Sequence, residues 1–178
     1  VRDKDFLKKT CFSYQLSLVI PSSVKTIGWS AFFSCPSLSS LTINSGVQEI
    51  ESSAFGYCTE LKNVTLPDTV KVLGQQVFLN CTKLTSVKIG NGVKVIKVST
   101  FDGCTALKTV DLGKIEKLEL SAFRNCTSLE SITLPDTITY IGGDVFTGTP
   151  LYQNSENWKD GALYIGNYLI ATNSAEAP

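Results

Sequence analysis

The apolar positions of this chain recur on a fixed frame. Pairs of aliphatic residues separated by one residue fall at Leu18/Ile20, Leu41/Ile43, Val64/Leu66, Val87/Ile89, Val110/Leu112 and Ile132/Leu134. Such alternation predicts six short strands, each with one face inward. A single anchor follows each pair, at Ile27, Ile50, Leu73, Ile96, Leu118 and Ile141, and predicts a second short extended segment. A phenylalanine comes next, at Phe32, Phe55, Phe78, Phe101, Phe123 and Phe146, in steps of 23, 23, 23, 22 and 23 residues. Around it a stretch such as 75–80 is long enough for one helical turn. A period this constant means a solenoid, each unit burying its apolar side against its neighbours.

The coil that starts at Leu61 shows the logic. Leu61, Val64 and Leu66 follow the spacing L-x-x-L-x-L. Pro67 and the Asp68-Thr69 pair end the strand and turn the chain. Val70 and Leu73 point inward again, and Cys81 and Leu84 close the coil. This is a leucine-rich repeat unit. The one short step lies between Leu112 and Ile115, where Gly113 stands in the place of a proline; glycine suits the tighter turn that the missing residue demands. The fold expected is a leucine-rich repeat solenoid over residues 1–150. It has six coils of about 23 residues, each with a parallel strand, a second short extended segment and a short helical turn, and the first repeat is degenerate. Residues 162–165 and 168–171 flank Gly166-Asn167 and predict a hairpin. Residues 151–178 are thus expected to form a C-terminal hairpin cap and a frayed tail.

The phrase L-P-x-x-[VI]-x-x-I-G-x-x-A-F-x-x-C-x-x-L resembles the BspA-like leucine-rich repeat family. It is carried here by Leu66-Pro67-Asp68-Thr69-Val70, Ile27-Gly28-Trp29-Ser30-Ala31-Phe32 and Leu134-Pro135-Asp136-Thr137-Ile138. The stretch 163–170 is similar to one found between repeat blocks in such proteins. The resemblance implies a surface or secreted protein of a host-associated bacterium or a protist, with a role in adhesion. It also implies an extracellular or cell-surface location.

Five of the six cysteines, Cys35, Cys58, Cys81, Cys104 and Cys126, stand three residues after the phenylalanine. Equivalent residues in stacked coils lie about 4.8 Å apart. Parallel side chains keep their Cβ atoms at that distance, beyond the roughly 3.8 Å mean of a disulfide. The expectation is a row of buried, reduced thiols acting as small hydrophobes, with a cross-link or a metal site as the alternatives. Thr149 takes the cysteine place in the sixth repeat. Cys11 falls outside the frame and is the expected exposed thiol.

Sixteen basic and sixteen acidic residues cancel, and no run of lysine or arginine forms a patch, which argues against nucleic acid as a partner. No stretch approaches the roughly 20 apolar residues of a membrane span, and no signal peptide opens the segment. A chain that starts at Val1 reads as a processed or excised piece. There is no histidine, so Ser-His-Asp and Cys-His pairs are impossible. Glu49 and Glu51 flank the anchor Ile50, and Glu116 and Glu119 straddle Leu118, as solvated positions. Gly90-Asn91-Gly92 occupies a turn slot rather than a phosphate loop. No catalytic residue, metal ligand or cofactor is expected. The Asn-x-Thr triplets at Asn63, Asn80 and Asn125 are glycosylation acceptors only in a suitable host.

Two surfaces remain. Side chains between the strand anchors cover the open sheet: Ser17 and Val19, then Ser40, Thr42, Asn63, Thr65, Ser86, Lys88, Thr109, Asp111, Ser131 and Thr133. They are small and polar, with Lys88 and Asp111 the only charges. The second surface is aromatic and C-terminal, with Tyr152, Trp158, Tyr164 and Tyr168 as either a cap or an interaction patch. The expected function is a non-enzymatic module that binds a protein or glycan of a host or neighbouring cell. The alternative is a passive spacer with no ligand of its own.

Overall fold

A computed structural model describes residues 16–172 of the 178. The chain winds as a solenoid with three hydrogen-bonded sides. The first side carries β1 (Leu16–Ile20), β3 (Leu38–Ile43), β5 (Asn63–Thr65), β7 (Ser86–Lys88) and β9 (Thr109–Asp111). The second carries β2 (Thr26–Ile27), β4 (Glu49–Ile50), β6 (Val72–Leu73), β8 (Val95–Ile96), β10 (Lys117–Leu118) and β11 (Tyr140–Ile141). All these strands pair in parallel and in repeat register, as in Val64↔Val87↔Val110 and Ile27↔Ile50↔Leu73. Parallel pairing follows from the winding, because each coil runs the same way round.

Both sides are interrupted. The first divides into β1-β3 and β5-β7-β9, and the second into β2-β4-β6 and β8-β10-β11. The sixth expected strand, at Ile132 and Leu134, pairs with no other strand among the described residues. Its two aliphatic side chains are half-buried against the core, so the alternation survives without the ladder.

The third side departs from expectation. No helical turn forms around the phenylalanines. Instead, successive tight turns place two residues per coil in the left-handed region, two before and two after the ring. Ser53 (φ 57°) and Tyr57 (φ 60°) are one such pair, and Gln76 (φ 56°) and Asn80 (φ 54°) the next. These flips aim alternate N–H groups at the following coil: Ser53, Phe55 and Tyr57 donate to the carbonyls of Gln75, Val77 and Leu79 at 2.9, 3.0 and 2.7 Å. Between them, Ala54, Gly56 and Cys58 donate back to Glu51, Ser53 and Phe55. A helix would keep every bond within the segment; here half of them tie one coil to the next. The same pattern joins all six phenylalanine segments.

Inside, the phenylalanine rings form a single row. Neighbouring centroids are 5.3–5.9 Å apart and the planes agree within 6°. Phe55, Phe78, Phe101 and Phe123 are fully buried, as are the anchors Ile50, Ile96 and Leu118. At the short coil Gly113 adopts φ 55°, and a Cβ there would lie 2.6 Å from the Ile89 carbonyl oxygen. The tighter turn therefore depends on glycine.

After the last coil, α1 (Pro150–Gln153) and a 3-10 turn (Ser155–Asn157) lead to an antiparallel sheet of β12 (Trp158–Lys159), β13 (Ala162–Ile165) and β14 (Tyr168–Thr172). The hairpin falls at Gly166-Asn167, with Gly166 at φ 58°; β12 is an addition to it. Leu163 is buried, and Tyr152, Ile165, Tyr168 and Ile170 pack against the core.

Candidate functional site

The cysteine row shows how far the core is closed. Cys58, Cys81, Cys104 and Cys126 are free thiols. Each Sγ donates to the carbonyl of the phenylalanine in the preceding coil, at 3.2–3.3 Å. Burial pushes Cys58 and Cys126 from their ordinary 9.0 up to about 12, and holds Cys81 and Cys104 well above the ordinary value too. Cys35 corrects the expectation of five reduced thiols, for it is disulfide-bonded. Its row neighbour Cys58 is free, so the bond leaves the row. The stacking argument governs neighbours within the row, and Cys35 is the end member of the row. Cys11 lies outside the described residues. In the sixth coil Thr149 does more than fill space: it donates to the Phe146 carbonyl at 2.6 Å and accepts from Tyr152 N at 3.0 Å, capping α1.

Among the described residues no three potential ligands gather to hold a metal ion, and no helix is long and apolar enough to cross a membrane. The carboxylates flanking the second strands are used across coils. Glu51 accepts from Trp29 N, Glu119 accepts from Val98 N at 3.2 Å, and Glu116 pairs with Lys94 at 3.2 Å. A further carboxylate, Asp102, is buried. It accepts from Arg124 Nε and Nη2 at 3.0 and 2.6 Å and from Asn125 Nδ2 at 3.3 Å. Asp102 is 6% exposed and Arg124 45%, so this pair ties two coils rather than awaiting a substrate.

The strand face lies where its residues predict. Register aligns Ser17 with Ser40, Val19 with Thr42, Asn63 with Ser86 and Thr109, and Thr65 with Lys88 and Asp111. The side chains serve one another: Asn63 Oδ1 accepts from Ser86 Oγ at 2.6 Å and Thr85 Oγ1 at 3.0 Å, and Lys88 stands 4.0 Å from Asp111. Ser131 and Thr133 are exposed on the unpaired sixth segment. The distinctive feature is a groove of about 380 Å³ between β3 and β5, lined by Ser40, Thr42, Asn63, Thr65 and Pro67 among others. It coincides with the place where the ladder is open.

The C-terminal aromatics do not make one patch. Tyr152 and Trp158 meet edge to face at 5.3 Å, and Trp158 Nε1 donates to the Tyr152 carbonyl at 2.7 Å. Tyr168 OH donates to the Pro135 carbonyl at 3.1 Å. Tyr164 points outward. Sequence reading passed over a more exposed group, Trp29, Phe33 and Tyr57. Its signal was there: each is an aromatic in an outward slot that holds no aromatic in the five other phenylalanine-centred coils, which carry residues such as Ser52 and Leu120 for Trp29, Gly56 and Leu79 for Phe33, and Ser34 and Asn80 for Tyr57.

The profile of BspA type leucine rich repeat regions matches residues 5–119 and 48–175, with six copies. The chain belongs to that family. Three solved structures agree with the assignment. A leucine rich cell surface protein from Faecalibacterium prausnitzii is 29% identical, with a TM-score of 0.71 over 90% of this chain and 44% of its own. A leucine-rich repeat protein from Eubacterium ventriosum is 28% identical, with a TM-score of 0.60 over 74% of this chain and 42% of its own. The T. pallidum leucine rich repeat protein is 29% identical, with a TM-score of 0.50 over 67% of this chain and 65% of its own. This BspA-type array thus spans less than half the length of the first two. No curated protein matches it.

Proposed function

We propose that this BspA-type array is a non-enzymatic binding segment of a secreted or cell-surface protein, serving adhesion by holding a protein partner across its strand face. The observation that carries the reading is the groove between β3 and β5, which breaks an otherwise repetitive strand face. Stacked repeats present extended surfaces of this kind to macromolecules. The cell-surface description of the Faecalibacterium prausnitzii protein supports the location. Plasmon resonance against a panel of extracellular matrix proteins tests it. Thr42→Arg with Thr65→Arg fills the groove from two exposed positions and leaves the core alone. The proposal expects at least a tenfold weaker affinity with an unchanged melting temperature.

The spacer reading draws on a different observation, the mutual hydrogen bonding of Asn63, Thr85 and Ser86, which leaves the face little unmet demand. No binding by either form favours the spacer, whereas equal binding by the arginine variant overturns the groove and places the partner on another face.

A further inference from the structure

The outward aromatics Trp29, Phe33 and Tyr57 lie on the third side, on adjacent coils, away from the strand face. Trp29 is 70% exposed, Phe33 44% and Tyr57 40%. Phe33 and Tyr57 meet edge to face at 5.3 Å. Two details show that the arrangement is built. A Cβ at Gly56 would press on the Phe33 ring at 3.1 Å, so glycine lets that ring lie flat. Tyr57 sits in the left-handed region, at φ 60°, where bulky side chains are rare. The same slot in the other coils holds Ser34, Asn80, Gly103, Asn125 and Gly148, residues that accept or tolerate the conformation. An aromatic kept in an unfavourable backbone slot points to a use for the ring.

The surroundings say what the rings face. Across segments 28–34, 51–57 and 74–80, the only charged residue is Glu51; the outward positions otherwise carry serine, glutamine and asparagine, with Gly56 and the half-buried Leu79 in the slot of Phe33. A polyanion finds no cation there. A protein hot spot also favours Trp and Tyr, but it sets them in a well-packed, desolvated pocket, whereas Trp29 stands 70% exposed. A neutral sugar fits both halves of the chemistry. Its C–H face stacks on the negative face of an aromatic ring, and its hydroxyls bond to amides and hydroxyls at the rim.

We propose that Trp29, Phe33 and Tyr57 form a shelf for a neutral saccharide chain. The inference rests on the array being a binding module, though not on its strand face. Affinity electrophoresis of the whole chain through gels containing mixed-linkage glucan, xyloglucan or mannan tests it, with heparin as the polyanionic control. The expected result is retardation by at least one neutral polysaccharide and none by heparin. Trp29→Ala and Tyr57→Asn should each weaken it at least tenfold. Asparagine suits the left-handed slot, so the melting temperature of Tyr57→Asn should stay level or rise, separating a lost contact from a lost fold. Tyr140→Ser, at an exposed position of the second side, should leave retardation unchanged. Retardation by no neutral polysaccharide, by heparin instead, or as strong in both aromatic variants as in the parent chain overturns the shelf. Loss in Tyr140→Ser moves the sugar off the shelf and overturns it too. Failure here with matrix-protein binding intact leaves the strand-face reading standing.

Discussion

Replacing Phe78 by alanine removes a ring from the middle of the row, where it is fully buried between Phe55 and Phe101 at centroid distances of 5.7 and 5.5 Å. An aromatic side chain buries about 150–250 Å²; with the Cβ retained, roughly 120 Å² of apolar area is lost, or about 3 kcal/mol at about 25 cal/mol per Å². Two stacked contacts go with it, each worth about 0.5–1.5 kcal/mol. The gap cannot close, because cross-coil bonds fix the backbone on both sides, Phe55 N to Val77 O at 3.0 Å and Phe78 N to Thr100 O at 2.9 Å. The expected cost is therefore about 4–5 kcal/mol, the upper part of the usual range for this substitution. Phe32 gives an internal comparison. It is only half-buried and stacks on Phe55 alone among the described residues, so Phe32→Ala should cost about 2 kcal/mol. Urea unfolding followed by circular dichroism and by fluorescence measures both. The two probes must coincide, since repeat arrays can lose two-state behaviour. Should Phe78→Ala fail to fold, Phe78→Leu, at about 1–2 kcal/mol, carries the same ranking against Phe32→Leu. A loss below about 1 kcal/mol for Phe78→Ala, or an equal loss at Phe32, refutes the stacked-row account.

Four more outcomes follow from the core and its ties. Native protein should leave Cys58, Cys81, Cys104 and Cys126 unreactive toward a thiol reagent at pH 8, and peptide mapping without reductant should find Cys35 in a disulfide; labelling of any of the four in the native state contradicts their burial. Because the folded-state thiols at Cys58 and Cys126 titrate at about 12 rather than 9.0, the folded state holds protons that the unfolded state releases. Their stabilisation is complete below pH 9 and falls as pH rises toward 12, by about 1.4 kcal/mol per pH unit for each thiol; a flat urea midpoint between pH 9 and 11 contradicts this. Arg124→Gln strands the buried Asp102 carboxylate and should cost about 2–3 kcal/mol, whereas Asp102→Asn leaves a half-exposed guanidinium to water and should cost about 1 kcal/mol; the reverse order in thermal melts would show that Arg124 is the dependent partner. Thr149→Ala removes the cap of α1 and should cost about 1–2 kcal/mol, read by the same melts.

The inward frame was legible because burial leaves little choice: a strand with one covered face must alternate, and a ring row must keep its period. The third side was misread for a physical reason. Six residues around Phe78 satisfy a helical turn by length, and only the destination of alternate N–H groups distinguishes that turn from a cross-coil ladder. The clue lay in the serine, asparagine, aspartate and glycine that stand two places before and after most rings, such as Ser53, Ser99 and Asn125, which tolerate left-handed backbone. Cys35 escaped because a row argument is silent about its end. The face residues from Ser17 to Asp111 lie on strands as expected, while Ser131 and Thr133 lie on none; the groove among them depends on two strands failing to pair, which no residue of β3 or β5 announces. Trp29, Phe33 and Tyr57 were hidden by the habit of reading a repeat for what it shares; they are where three slots depart from the rest.

Hydrogen exchange on the chain, free and bound to whichever matrix protein captures it, tests the binding account most directly. The account predicts added protection in peptides covering β3 and β5, with the second side of the solenoid exchanging as before. Protection confined to the second side, or none on any side at saturating partner, would contradict it.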